Sequence, residues 1–249
     1  GAPLQVYPNS RPGNDLANSL NVSVPTVYSL SVSEQVVHFL SGASSASYYS
    51  TRRQPEGCSI EDGESVYDAM DVLSGSDPEQ PGSAATANAC SVPLAVSGSV
   101  FYTATSDSGM TDVFVLALDA LTGRQTWVTP LFSYTARRAS RGPSMTLMSY
   151  ADGKLFVSIE GVTCALDASS GDILWLSTYQ TLDAAKGAIQ APVVFSEYDA
   201  VVCSPVDSAK TSAYSISTGR KLWEFAQDCD YIGFEGSTAY FSSLLDDYV

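Results

Sequence analysis

Histidine is almost missing from this sequence: His38 is the only one in 249 residues. A Ser–His–Asp relay would have to use it, and no Gly-x-Ser-x-Gly elbow accompanies it. Its setting, the apolar run "QVVHFLSG", reads as a strand carrying a structural or surface histidine rather than a catalyst. Metal sites built from His and Cys lack material as well, since neither Cys-x-x-Cys nor His-x-x-x-His occurs. Positive charge is also scarce. Twelve Lys and Arg stand against 27 Asp and Glu, a net charge of −15. That balance argues against a nucleic-acid partner, which needs clustered cations for its phosphates, and against an anionic membrane surface. No apolar run approaches the roughly 18 residues of a membrane span, so no direct membrane insertion is expected of this segment. The start, "GAPLQVYPNS", lacks the layout of a signal peptide; a leader, if the protein is exported, has been removed already.

What remains is apolar and hydroxylic. Apolar residues make up 45% and charged ones only 16%, with Tyr, Val, Thr, Ser and Gly prominent, a composition that leans toward strands and turns. Within it a repeat stands out. Ala117–Trp127 reads "ALDALTGRQTW", Ala165–Trp175 reads "ALDASSGDILW" and Ala213–Trp223 reads "AYSISTGRKLW". These hold all three tryptophans, at 127, 175 and 223, spaced by 48 residues each time. One period upstream, Ala69–Gly75 reads "AMDVLSG", with Glu79 where the Trp belongs. Gly75, Gly123, Gly171 and Gly219 then share one register, and this copy is taken as the fourth.

Each copy reads as a β-hairpin. An alternating apolar strand leads to Ser or Thr and then Gly, whose freedom at φ > 0 suits a tight loop, and the next strand carries the Trp. Two more strands precede each hairpin, as in Val92–Ala104, Met145–Ile159 and Ala191–Pro205, and similar pairs occupy Val24–Gly42 and Asp230–Ser243. Four antiparallel strands per 48 residues, with five starts, predict an all-β protein: a β-propeller of four-stranded blades, incomplete or irregular at about five blades' worth.

The pattern Ala-x-Asp-x-x-Thr-Gly-x-x-x-Trp resembles the tryptophan-docking motif of the quinoprotein-type (PQQ-like) propeller repeats. Residues 117–127 match every position; Ser170 replaces Thr in the second copy and Ser215 replaces Asp in the third, while Ser74 replaces Thr in the upstream copy. The resemblance covers residues 90–243 well and 24–80 loosely. It implies that Ala117, Gly123, Trp127, Ala165, Gly171, Trp175, Ala213, Gly219 and Trp223 form the blade-to-blade seam. Each Trp would stack between the Gly turn of its own blade and the small Ala of the adjacent blade, burying up to roughly 250 Å².

By this reading residues 1–22 form an N-terminal segment, 23–91 an irregular first blade with long loops, and 92–249 regular repeats with a truncated last blade. Either Leu4–Pro8 supplies the outer strand of that last blade, or the chain is a piece of a longer propeller; unpaired edges there would favour self-association or strand pairing. In the irregular part, "ASSASYYSTRRQPEGCSIEDGES" reads as a connection between second and third strands, and "SDPEQPGSAATANAC" as a flexible loop. The five cysteines are odd in number. A Cys58–Cys90 disulfide would tie the loose segment, and Cys164 and Cys203 are either a second pair or buried thiols.

For function, the acidic clusters "SIEDGES" and "LLDDYV" lack the ladder of a calcium loop and read as solvated surface. The resemblance would imply a quinone-dependent dehydrogenase only with a longer ring and adjacent cysteines over the cofactor, and no Cys-Cys pair occurs. No cofactor is therefore expected. The leading expectation is a non-catalytic, extracytoplasmic scaffold that binds protein, similar to the assembly-factor class of the family. Its alternatives are a lumenal domain similar to those of endoplasmic-reticulum stress kinases and a dehydrogenase fragment. "YTARRASRGPS" concentrates Arg137, Arg138 and Arg141 in one connection and is a candidate binding loop, and Asn21 opens an N-glycosylation triplet.

Overall fold

Short alternating segments bounded by turn residues pair with their nearest sequence neighbours, and antiparallel hairpins result throughout. The computed structural model describes residues 27–33, 35–42, 53–67, 87–89, 93–107, 110–135, 148–159, 162–178, 191–204, 210–225, 229–235 and 238–243. They fall in two compact units, Gly1–Gly142 and Pro143–Val249.

In the first unit, β1 (Val27–Ser33), β2 (Val36–Gly42), β3 (Arg53–Ser59) and β4 (Ser65–Tyr67) form one sheet in chain order. A second sheet contains β5 (Ala87–Ala89), β6 (Leu94–Val96), β7 (Ser99–Asp107), β8 (Met110–Asp119) and β9 (Gln125–Thr135). Its order is β5-β7-β8-β9, with β6 also pairing β7. In the second unit, β10 (Met148–Ala151), β11 (Lys154–Ile159), β12 (Val162–Asp167) and β13 (Ile173–Thr178) form a four-stranded sheet. So do β14 (Val193–Phe195), β15 (Ala200–Cys203), β16 (Thr211–Ser215) and β17 (Lys221–Phe225), while β18 (Cys229–Glu235) and β19 (Thr238–Ser243) make a hairpin. Each four-stranded sheet meanders in sequence order, the blade pattern of a β-propeller, and the fold is all-β as expected.

The central strands carry the core. In β8 every residue from Val113 to Leu118 is buried, as is every described residue of β12 up to Leu166, so these strands are covered on both faces. The fourth strand of a blade is different: β17 is exposed along its whole length.

Three expectations about the irregular part need correction. The third strand of the first sheet is β3 itself, inside the stretch taken for a connection; its polar sequence, RQPEGCS, hid it, and pairing with all seven residues of β2 decides its conformation. The first turn is Ser59–Gly63, so a copy of the hairpin stands at residues 57–67, where a connection was expected; the copy expected at Ala69–Glu79 lies outside the described residues. Within the presumed flexible loop, Ala87–Ala89 is strand β5, because β7 has nine residues, β6 covers only its first part, and β5 pairs the remainder.

The disulfide expectations find no support either. Cys58 is a buried thiol, 3% exposed, at the core-facing position that Leu118 and Leu166 hold in the other hairpins. Cys90 lies outside the described residues. Cys164 and Cys203 are buried thiols whose ionisation is pushed up to about 12 by burial. Ala165 packs in the same cluster as Cys203, so its strand neighbour Cys164 points to the opposite face of the sheet, out of bonding reach. The proposed closing strand at Leu4–Pro8 and residues 244–249 lie outside the described residues.

Candidate functional site

Four hairpin turns repeat one hydrogen-bond scheme. The turn glycine N–H donates to the carbonyl four residues back: Gly63 to Ser59 (3.0 Å), Gly123 to Asp119, Gly171 to Asp167 and Gly219 to Ser215 (each 2.8 Å). One residue after the motif Asp, an N–H reaches the neighbouring hairpin of the same blade: Ile60 to Gln35 O, Ala120 to Gly98 O, Ala168 to Gly153 O and Ile216 to Asp199 O, at 2.8 to 3.0 Å. The four acceptors all sit at positive φ, which glycine adopts freely at 98 and 153 and which Gln35 and Asp199 adopt at 66° and 49°.

The motif carboxylate holds the turn. Asp119 Oδ1 accepts from Leu121 N, Thr122 N and Thr122 Oγ1 at 3.1, 2.8 and 2.8 Å. Asp167 Oδ1 does the same with Ser169 N, Ser169 Oγ and Ser170 N at 2.8, 2.6 and 3.1 Å. The Thr that precedes the glycine accepts the N–H beyond it, and its substitutes keep that bond: Thr122 with Arg124, Ser170 with Asp172, Thr218 with Arg220, and Asp62 with Glu64.

Two of the four turns have Ser in place of the motif Asp, Ser59 and Ser215, and the second is repaired from outside the motif. Ser215 stands where Asp belongs, and Asp199, in the partner turn, supplies the missing group: its Oδ1 accepts Ser217 N at 2.8 Å, and its Oδ2 accepts Ser215 Oγ and Ser217 Oγ at 2.6 and 2.9 Å. Asp199→Asn should therefore destabilise the wild-type chain but have little effect on a Ser215→Asp variant, a non-additivity that denaturant melts of the four proteins would reveal. All these carboxylates are held below their ordinary value: Asp119 chiefly by the Thr122 hydroxyl, Asp167 by the Ser169 hydroxyl, Asp199 by the Ser215 hydroxyl and Asp62 by the Glu64 N–H. A folded pKa below the unfolded one adds stability that is complete above about pH 4 and is lost as pH falls through the folded value. The melting temperature should accordingly drop below about pH 4, and by less in Asp119→Asn, as thermal scans at a series of pH values would show.

Above each turn lies a row of three cross-strand neighbours. In three blades it runs Phe101–Ala117–Trp127, Phe156–Ala165–Trp175 and Val202–Ala213–Trp223. Trp175 is 8% exposed; its ring centroid lies 6.4 Å from Phe156, and its Nε1 donates to Ile216 O at 2.8 Å. A Cβ built on Gly219 would fall 2.6 Å from the Trp175 ring. The glycine against Trp175 is thus that of the following blade, and the alanine in its row is its own, Ala165, the reverse of the stacking the resemblance implied. The reason is cross-strand register: Ala165 pairs directly with Trp175, and the indole projects onward to the next turn. Trp223 is 36% exposed.

In the first blade the row is His38–Gly57–Tyr67, and all three members have changed. His38 is fully buried and its Nδ1 lies 2.9 Å from Tyr67 Oη, which is 3.4 Å from Tyr102 Oη. The His38 and Tyr67 centroids are 6.0 Å apart, close to the Phe–Trp spacings elsewhere. A Cβ at Gly57 or at Gly123 would collide with the Tyr67 ring, so Tyr67 covers its own Gly57 and occupies the turn glycine of the next sheet, as Trp175 does. Burial pushes the Tyr102 hydroxyl well above its ordinary value, leaving it a neutral hydrogen-bonding group. Tyr67 was missed because the copy was placed by a constant period. The signal was present in "GCSIEDGESVY", where Gly57, Ser59, Gly63 and Tyr67 keep the motif's internal spacing, with 60 rather than 48 residues from Gly63 to Gly123.

The strand directions put both turns of a blade at one end of its sheet. The connections that begin after Gly42, Tyr67 and Thr135 in the first unit, and after Thr178 and Ser204 in the second, all leave from the other end. Arg137, Arg138 and Arg141, like Asn21, lie outside the described residues. Among the described residues no group of three His, Cys, Asp or Glu could hold a metal ion, and no helix is long and apolar enough to cross a membrane.

A family model described as outer membrane protein assembly factor BamB matches residues 111–239. Of the solved structures that resemble this one, BamB from Moraxella catarrhalis superposes with a TM-score of 0.51 at 19% identity, over 79% of this chain and 50% of that one. The quinohemoprotein alcohol dehydrogenase ADHIIG from Pseudomonas putida HK5 superposes with a TM-score of 0.53 at 14% identity, over 79% of this chain and 34% of that one. No curated protein matches the chain by sequence. The chain spans about half the length of the first structure and a third of the second, and at such identities the likeness is one of fold.

Proposed function

The chain belongs to the PQQ-like β-propeller repeat family whose model is described as outer membrane protein assembly factor BamB, and from that premise we propose that it is a non-catalytic protein-interaction module working outside the cytoplasm. The observation that carries this reading is the use made of the chemistry-bearing residues. His38, Tyr67 and Tyr102 form one buried hydrogen-bonded line, and the turn aspartates each serve a hairpin. These groups hold blades together. The connections on the opposite end of the sheets are free to vary without disturbing that framework, and such loops on a rigid scaffold are where recognition resides. The basic connection with Arg137, Arg138 and Arg141 is the natural contact for an acidic partner surface.

The purified chain, supplied with pyrroloquinoline quinone, calcium and an artificial electron acceptor, should oxidise neither alcohols nor sugars. Turnover above the protein-free control would sink the non-catalytic reading and favour the dehydrogenase alternative. Sequencing the gene on either side of residues 1 and 249 tests the setting. Further blades and an export signal support it, whereas a membrane span followed by a kinase domain would transfer the chain to the sensor alternative.

A further inference from the structure

Among the described residues the fourth strand of each four-stranded meander is an edge, with one side unpaired, and proteins guard such edges by brevity, proline or charge. Three of the four described here are guarded. β4 has three residues, β9 carries Pro130, and β17 carries Lys221 and Glu224, whose carboxylate also pairs with Lys210 at 2.8 Å. β13 is the exception: its six residues, ILWLST, include no proline and no charge. Three of its four exposed side chains are apolar, with Ile173 at 41%, Leu174 at 46% and Leu176 at 40%, and Thr178 is the fourth. A bulge precedes the docking aromatic in all four strands, so it does not set β13 apart, and beyond it Trp175–Thr178 run in regular pairing with β12.

We infer that β13 is a strand-addition site, which takes an extended segment of a partner protein, flanked by Lys or Arg, as a fifth strand of its sheet. The inference rests on the interaction-module reading and names the surface and the partner's chemistry. Strand addition draws affinity from main-chain bonds and specificity from alternate side chains, and here Leu174 and Leu176 ask for apolar residues at alternate positions. Charge selects the occupant. A second copy would bring another −15 toward the same surface, while a segment flanked by Lys or Arg is drawn to it.

The test uses the full chain and three synthetic peptides with one alternating Val-Thr centre: flanked by lysines, flanked by glutamates, or lysine-flanked with a central proline. The lysine-flanked peptide should bind at least about tenfold tighter than the other two, weaken with added salt, and slow amide exchange in residues 173–178 but not in 221–225. Leu176→Lys, and separately Leu174→Lys, should each weaken binding about tenfold, with Leu222→Lys on β17 as the control that leaves it unchanged. Circular dichroism reports whether each variant is folded, and the exchange pattern of the wild type tests the site without any variant. Failure of the wild type to bind any peptide overturns the inference, as does binding that protects other strands. Concentration-dependent dimers of the wild type, lost in Leu176→Lys, overturn it in favour of a second copy. None of these outcomes touches the interaction-module reading, which the quinone assay and the flanking gene decide.

Discussion

Alanine at position 219 should destabilise the second unit by about 2–5 kcal/mol, comparable to deleting the indole it faces. Two penalties add. Gly219 has φ of +69°, where a Cβ costs about 1–2 kcal/mol. The same Cβ would stand 2.6 Å from the Trp175 ring, and forcing apart a packed contact adds about 1–3 kcal/mol. Trp175→Ala removes a side chain that is 8% exposed and should cost about 3–5 kcal/mol by the cavity it leaves. The diagnostic is the double variant: with the indole gone the collision vanishes, and Gly219→Ala should then cost only its backbone share. Urea unfolding of the four proteins gives this coupling, and strict additivity would show that Trp175 and Gly219 do not form one joint.

The second large effect lies in the first blade. Gly57→Ala should destabilise it by about 1–3 kcal/mol, because the new methyl collides with Tyr67. Tyr67→Phe should cost about 1–3 kcal/mol, since it withdraws a buried hydroxyl that pairs with His38 Nδ1 at 2.9 Å. Converting the whole row, His38→Phe with Gly57→Ala and Tyr67→Trp, reproduces the Phe–Ala–Trp set of the second and third blades. That triple variant should be less destabilised than the sum of its parts by more than about 1 kcal/mol, because the three side chains are direct neighbours in one row. Thermal melts of the singles and the triple decide it; singles that add up to the triple would show three independent sites.

These two joints also show how far the sequence could be read. The spacing of Trp127, Trp175 and Trp223 revealed the blades and the family, because regular copies preserve both the motif and the period. The first blade kept the motif's internal geometry but changed the residue types and lengthened the connection after it. A search for Trp at constant distance therefore passed over Tyr67 and settled on Gly75. Strands β3 and β5 were hidden for another reason: their residues have little strand propensity, and the pairing partners β2 and β7 determine their conformation. The lone histidine reads as structural or surface from its strand alone, and its buried pairing with Tyr67 has no local signal. Ser215 shows in the sequence only as a replacement of the motif Asp; the compensating carboxylate, Asp199, lies 16 residues away and outside any local pattern.

The seating of Tyr67 on Gly123, and of Trp175 on Gly219, has a consequence for how such a protein can grow or be divided. In each of these two joints one sheet gives the aromatic and the following sheet gives the glycine, so the joint straddles a sheet boundary. A cut between the two sheets of either joint severs it, leaving the Tyr67 phenol or the Trp175 indole bare on one piece and an empty notch on the other. A duplicated repeat inserted in phase adds one plug and one socket and leaves the tally even. The heritable module of this architecture is therefore the joint, and the sheet is only what lies between two of them.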